Sequence, residues 1–184
     1  MNLEQRLEMA LDDGPCPPDT YQTPERYLEP VRALLSGVIG LDPCTTAANP
    51  TQAREFFTEA DDGLTKPWAV FPPFHGVFLN PPWSRKLGKP IDPWLVKCHE
   101  EAGEGVEIVA LVPVATATKW WRRHVETAAG VCFVHGRIAY IDPRTGKPVQ
   151  GSKFDSAYVY FGDRFRAFKR EFSALGWVVE GRGA

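Results

Sequence analysis

The sequence predicts an α/β fold, with a mostly parallel central sheet, an antiparallel edge and helices on both faces. Short apolar runs that read as buried strands alternate with stretches of helical period, the pattern of a parallel sheet covered on both sides. The chain closes on paired strand-like runs, which suggests the antiparallel edge. Seventeen prolines and 16 glycines bound every element sharply. In order, "TPERYLEPVRALL" places Tyr27, Leu28, Val31, Leu34 and Leu35 on one helical face, with Thr23 as N-cap and Pro24 at the first helical position. "VIGLDPC" reads as a buried strand ending at Asp42, "REFFTE" as a second and "GVFLN" as a third, stopped by Pro81 and Pro82. "DPWLVKCHEEA" is a helix, "VEIVALVPV" the strongest strand, and "ATKWWRRHVETA" a helix again. "VCFVHG", "RIAYID", "SAYVYFG" and "WVVEG" read as strands, with the helix "RFRAFKREFSAL" before the last.

With 184 residues, 43% of them hydrophobic, residues 1–184 make one well-buried domain, preceded by a polar lead-in over 1–20 that is expected to be poorly ordered. The opening "MNLEQRLEMALDDG" is acidic where a signal peptide needs positive charge, and no apolar run approaches membrane-spanning length, so the expected location is the cytoplasm, with no membrane partner. Cys16, Cys44, Cys98 and Cys132 are scattered, without metal-like spacing to the four histidines. They read as reduced, mostly buried thiols, and no metal is expected. A net charge of −2 gives no general attraction to polyanions, so any nucleic-acid contact must come from local basic clusters.

Ligands of such sheets sit at the carboxyl ends of the strands, and three polar sites fall there: Asp42, the pair Asp61 and Asp62, and Asn80. The last opens "NPPW". Pro81 and Pro82 have no N–H to donate, so this turn offers acceptors, the Asn80 amide oxygen and the backbone carbonyls, beside the flat face of Trp83. A planar primary amine suits that set, because its two N–H bonds can be held while its ring lies on the indole. The plainer reading of "NPP" is a turn that ends a strand.

"NPPW" resembles the D/N/S-P-P-Y/F/W signature of amino-group methyltransferases that use S-adenosylmethionine. With "TPERYLEPV", "LDPCTTAANP", "FFTEADDGL", "ALVPVATATKWW", "GRIAYID" and "FDSAYVYF", the chain from Tyr21 to Gly162 resembles the phage-type DNA adenine-N6 methyltransferases. The resemblance implies a Rossmann-like methyltransferase fold and transfer of a methyl group from S-adenosylmethionine to the exocyclic amine of a flipped adenine. It assigns catalysis to Asn80, Pro81, Pro82 and Trp83: Asn80 Oδ1 and the Pro81 carbonyl grip the amine while Trp83 stacks on the base. It places Tyr21, Thr23 and Pro24 at the cofactor, the latter two near its carboxylate. Asp42 takes its ammonium, with Pro43 and Cys44 shaping the bend beside it. Asp61 or Asp62, with Asp62 preferred, accepts from its adenine amino group, Leu64 packs nearby, and Asn80 also borders the cofactor. "DPCTTAANP" lacks the glycines that usually follow the first strand in the broader methyltransferase pattern.

For DNA, most simply double-stranded, "WSRKLGKPIDPW" supplies Arg85, Lys86 and Lys89 beside the catalytic turn, the first two facing phosphates, and Lys119 and Arg137 add positive charge. Trp120 and Trp121 read as a core pair. Sequence choice falls to that basic loop and to "GRIAYIDPRTGKPVQGSKF". Two other readings remain: a protein glutamine-amide methyltransferase, whose substrate presents the same two hydrogens, and a module that holds cofactor or nucleic acid without turnover. The sequence leaves the oligomeric state and the recognised site open.

Overall fold

The computed structural model describes residues 20–69, 76–82, 90–149 and 154–183. Residues 1–19, with Cys16, lie outside them, as do Trp83, Arg85, Lys86 and Lys89. Strands β1 (Leu41–Asp42), β2 (Glu55–Phe56), β3 (Gly76–Leu79) and β4 (Glu107–Pro113) form the parallel part of one sheet, paired β2 to β1, β1 to β3 and β3 to β4. Strands β5 (Gly130–Val134), β8 (Ser156–Phe161) and β9 (Gly176–Glu180) continue it through three antiparallel pairings, giving the order β2-β1-β3-β4-β8-β5-β9. The antiparallel part is therefore half the sheet and not merely an edge. Between β5 and β8 the chain makes a hairpin, β6 (Ile141–Asp142) with β7 (Lys147–Pro148), in place of a covering helix. Such a return needs no crossover, so β8 enters between β4 and β5 in the opposite direction.

Helices cover both faces. On one, Trp94, Leu95 and Cys98 of α2 (Asp92–Gly103) share a core with Val77, Leu79, Ile108, Ala110 and Val159. On the other, Tyr27, Leu28, Val31 and Leu34 of α1 (Glu25–Leu34) and Phe168 and Phe172 of α3 (Phe165–Phe172) share a core with Phe78, Val109, Leu111 and Tyr158. Neighbouring strand residues enter opposite cores, which is why the central strands carry apolar side chains at every position.

Three elements differ from the sequence reading. Pro24, and not Thr23, is the N-cap of α1, and no side chain caps the helix; the Thr23 hydroxyl is turned toward Asn80. "ATKWWRRHVETA" contains a π-helical turn, Trp121–Val125. Neighbouring residues of a regular helix point about 100° apart; with the wider turn following Trp120, both indoles lie in the same core, 5.7 Å apart, as the core reading of this pair requires. Only Ile141–Asp142 of "RIAYID" is strand. Cys44, Cys98 and Cys132 are free thiols, the last two buried. Among the described residues no helix is long and apolar enough to cross a membrane, and no group of His, Cys, Asp and Glu is arranged to hold a metal ion.

Candidate active site

Strand β3 is buried at all four positions and hydrogen-bonded on both sides, so its end is set by chemistry and not by exposure. Pro81 and Pro82 have no N–H to continue a ladder, and Asn80 therefore emerges at the carboxyl edge of the parallel strands. The strand begins at Gly76, where any Cβ would come within 2.7 Å of Leu35 Cδ2. This close seat holds β3 against the end of α1.

Asn80 is held from two directions. Its side-chain Nδ2 donates to Thr23 Oγ1 at 3.2 Å, and its backbone carbonyl accepts from the Cys44 thiol at 3.3 Å. Thr23 is 8% exposed and Pro81 is buried, while Asn80 and Pro82 are half-buried. Cys44 in turn donates its backbone N–H to Asp42 Oδ1 at 3.2 Å, and Thr51 Oγ1 donates to Asp42 Oδ2 at 2.8 Å. Thr23, Asn80, Cys44, Asp42 and Thr51 thus form one continuous hydrogen-bonded chain across the ends of β1 and β3.

Asp42 is 3% exposed, and among the described residues no cation pairs with it. Burial pushes its carboxyl up to about 6, against the opposing pull of hydrogen bonds from Thr51, Cys44 and Thr45. A buried carboxylate satisfied by neutral donors and lacking a counter-ion is electrostatically suited to a cationic ligand.

The acidic loop after β2 lies against the same place. Gly63 approaches so closely that a Cβ there would sit 1.9 Å from the Pro43 carbonyl oxygen. The loop is anchored by Trp68, fully buried, whose Nε1 donates to the Gly63 carbonyl at 2.9 Å and whose ring stacks on Trp94. Asp61 is occupied within the loop: its Oδ2 accepts from Thr58 N at 2.8 Å and Thr58 Oγ1 at 2.7 Å, bonds that hold its carboxyl below the ordinary value. Asp62, exposed and at φ 51°, gives its carbonyl to Thr65, and its carboxylate makes no bond among the described residues. Leu64, Cys44 and Phe57 are half-buried on the core beneath.

Tyr21, half-buried, packs against the core beneath α1. The adjacent Gln22 exchanges both backbone hydrogen bonds with Ile141 at 2.9 Å, so the β6–β7 hairpin is tied to the segment that carries Tyr21 and Thr23. Lys119 is exposed beyond the end of β4, and Arg137 is exposed and pairs with Asp155 at 3.4 Å. Among the described residues neither makes a hydrogen bond or ion pair with the Thr23–Asn80–Cys44–Asp42 cluster. Thr51 and Phe57 escaped the sequence reading. Phe57 joins the two loops through its backbone, donating to Asp42 O and accepting from Thr45 N, both at 2.9 Å.

A family model described as "DNA N-6-adenine-methyltransferase (Dam)" matches residues 17–179. No curated protein matches the chain.

Proposed function

Because the chain belongs to the DNA N-6-adenine-methyltransferase (Dam) family, we propose that it transfers a methyl group from S-adenosylmethionine to the N6 amine of an adenine flipped out of duplex DNA. The observation that carries this reading is the donor-poor turn Asn80-Pro81-Pro82, held at the strand end next to a buried carboxylate that has no counter-ion among the described residues.

The residues fit the cofactor at its ammonium. Asp42 lies buried with its carboxyl pushed up to about 6, and a cation beside it would favour the ionised form and lower that value. Thr23 and Pro24 precede the N-terminus of α1, where a carboxylate is favoured. Asp62 is the acidic-loop carboxylate available to an adenine amino group, since Asp61 serves Thr58. When bound, S-adenosylmethionine supplies an electrophilic methyl on a sulfonium.

The chain's own part is positioning and electrostatics. The adenine N6 lone pair is delocalised into the ring and is a weak nucleophile. Asn80 Oδ1 and the Pro81 carbonyl accept its two hydrogens, which favours a pyramidal nitrogen with its lone pair aimed outward. When N6 takes the methyl group, its bond to carbon would form as the carbon–sulfur bond breaks and that electron pair stays with sulfur; the nitrogen becomes positive, and the same two acceptors stabilise that charge until one proton leaves to solvent. Trp83 supplies the stacking face for the flipped base, and Arg85, Lys86 and Lys89, with Lys119 and Arg137, supply phosphate contacts.

The test offers S-adenosylmethionine labelled in its methyl group together with duplex DNA, RNA and protein extract. Label in DNA alone, released as N6-methyladenine on digestion, supports the proposal. Label in protein glutamine, or none in any substrate, contradicts it.

A further inference from the structure

We infer that Thr23 is a positioning residue for methyl transfer: its hydroxyl, 3.2 Å from Asn80 Nδ2, orients the Asn80 carboxamide so that Oδ1 and not the nitrogen faces the target amine. The inference deepens the function proposed above and rests on it. A carboxamide has one accepting and one donating end of nearly equal size, so packing alone separates them poorly. An amine presenting two hydrogens is met productively only by the accepting end, because the other orientation sets N–H against N–H. A neighbouring hydroxyl, which can donate or accept, selects the nitrogen end when it accepts from it and directs its own proton elsewhere, and the bond from Asn80 Nδ2 to Thr23 Oγ1 has that sense.

Thr23 is placed to choose. It is 8% exposed, it lies at the entrance to α1, and its hydroxyl caps no helix, since Pro24 is the N-cap and no side-chain cap bond forms. From the other side the Cys44 thiol donates to the Asn80 backbone carbonyl at 3.3 Å. Burial holds that thiol well above its ordinary value, so it keeps its proton and remains a donor at neutral pH. The turn carries three acceptors: Asn80 Oδ1, Asn80 O and Pro81 O. With Asn80 O engaged by Cys44 and Nδ2 engaged by Thr23, two acceptors remain for two N6 hydrogens. Asn80 and Thr23 are 57 residues apart, and Asn80 and Cys44 are 36 apart, so the selection is made by the fold and not by the turn alone.

The test is a mutant cycle read by single-turnover methyl transfer to duplex DNA at saturating S-adenosylmethionine. Thr23→Val lowers the rate on the order of 10–100-fold, the scale of a small misplacement at a reacting group, and saturation with S-adenosylmethionine keeps any change of affinity at the nearby cofactor carboxylate out of that rate; Thr23→Ser restores most of the rate. Asn80→Asp has two equivalent oxygens and no end to choose. Adding Thr23→Val to it therefore changes its rate less than about threefold, a strongly non-additive result, and activity of that double variant shows that the fold tolerates the valine. A readout independent of catalysis accompanies these rates. The Asn80 side-chain amide resonance, identified by its loss in Asn80→Asp, shifts in Thr23→Val and returns toward the parental position in Thr23→Ser. Equal losses from Thr23→Val in both backgrounds, a loss of cofactor affinity in place of rate, or an unmoved amide resonance overturns the inference. Failure of the parental protein to methylate adenine overturns the proposed function instead and leaves the amide resonance to decide the role of Thr23.

Discussion

Asp42 shows how one buried group links fold and ligand. Its carboxyl lies at about 6 in the folded chain against an ordinary value of 3.8, with burial as the main cause. Between those values the folded state holds a proton that the unfolded chain has lost, so the free protein loses stability as pH rises through that window. A cofactor ammonium reverses the preference, because it favours the ionised carboxylate. Binding of S-adenosylmethionine is therefore expected to weaken as pH falls below about 6, approaching tenfold per unit, with little change from pH 7 to 8. Asp42→Asn should bind more weakly at pH 7.5 and lose this dependence. Calorimetric titrations from pH 5 to 8 check both outcomes. A parental affinity flat across that range would remove Asp42 from the ammonium site. That Asp42 ends a strand is legible in "VIGLDPC". Its partner Thr51 is not, because a threonine within "TTAANPT" carries no periodic signal and becomes buried only when the loop folds back over β1.

At the scale of elements, the loop after β2 is held by a close backbone approach and one indole. Gly63→Ala places a Cβ against the Pro43 carbonyl, so one loop must move. The expected cost is about 1–3 kcal/mol of stability, as for other forced overpacking, together with weaker cofactor binding, since Pro43 belongs to the turn that carries Asp42. Chemical denaturation and a parallel cofactor titration measure the pair of effects. A variant of parental stability and affinity would show the two loops to be independent. Elements with strong periodicity were the readable ones: α1 buries the face that its spacing of Tyr27, Leu28, Val31 and Leu34 foretells, and β4 and β8 fill their apolar runs. The π-turn was not readable, because it spans only Trp121–Val125, too few residues to separate its period from that of a regular helix. The capping of α1 was misassigned for a related reason. Local rules favour Thr23 as cap, and a contact made only in the folded chain recruits its hydroxyl elsewhere.

Across the whole molecule, strand direction is the feature that local patterns conceal. Apolar runs look alike whether they pair in parallel or antiparallel, and the sheet divides evenly, with three pairings of each kind. The parallel half brings Asp42 and Asn80 to one edge. The antiparallel half widens the sheet on the side of β4, and the β6–β7 hairpin between two of its strands returns to the segment that supports Asn80. The site's components were legible one by one at strand ends, whereas the hydrogen-bonded chain that joins Thr23, Asn80, Cys44, Asp42 and Thr51 belongs to the fold. The central claim is that the turn at the end of β3 holds an adenine amine. Its most direct test is single-turnover methyl transfer to duplex DNA by the parental protein and by Asn80→Ala, with the modified base identified in each product. The account predicts N6-methyladenine from the parental protein and a rate lower by on the order of 10²–10³ in Asn80→Ala, with cofactor affinity nearly unchanged. Transfer at the parental rate by Asn80→Ala, or N4-methylcytosine as the product, would contradict it.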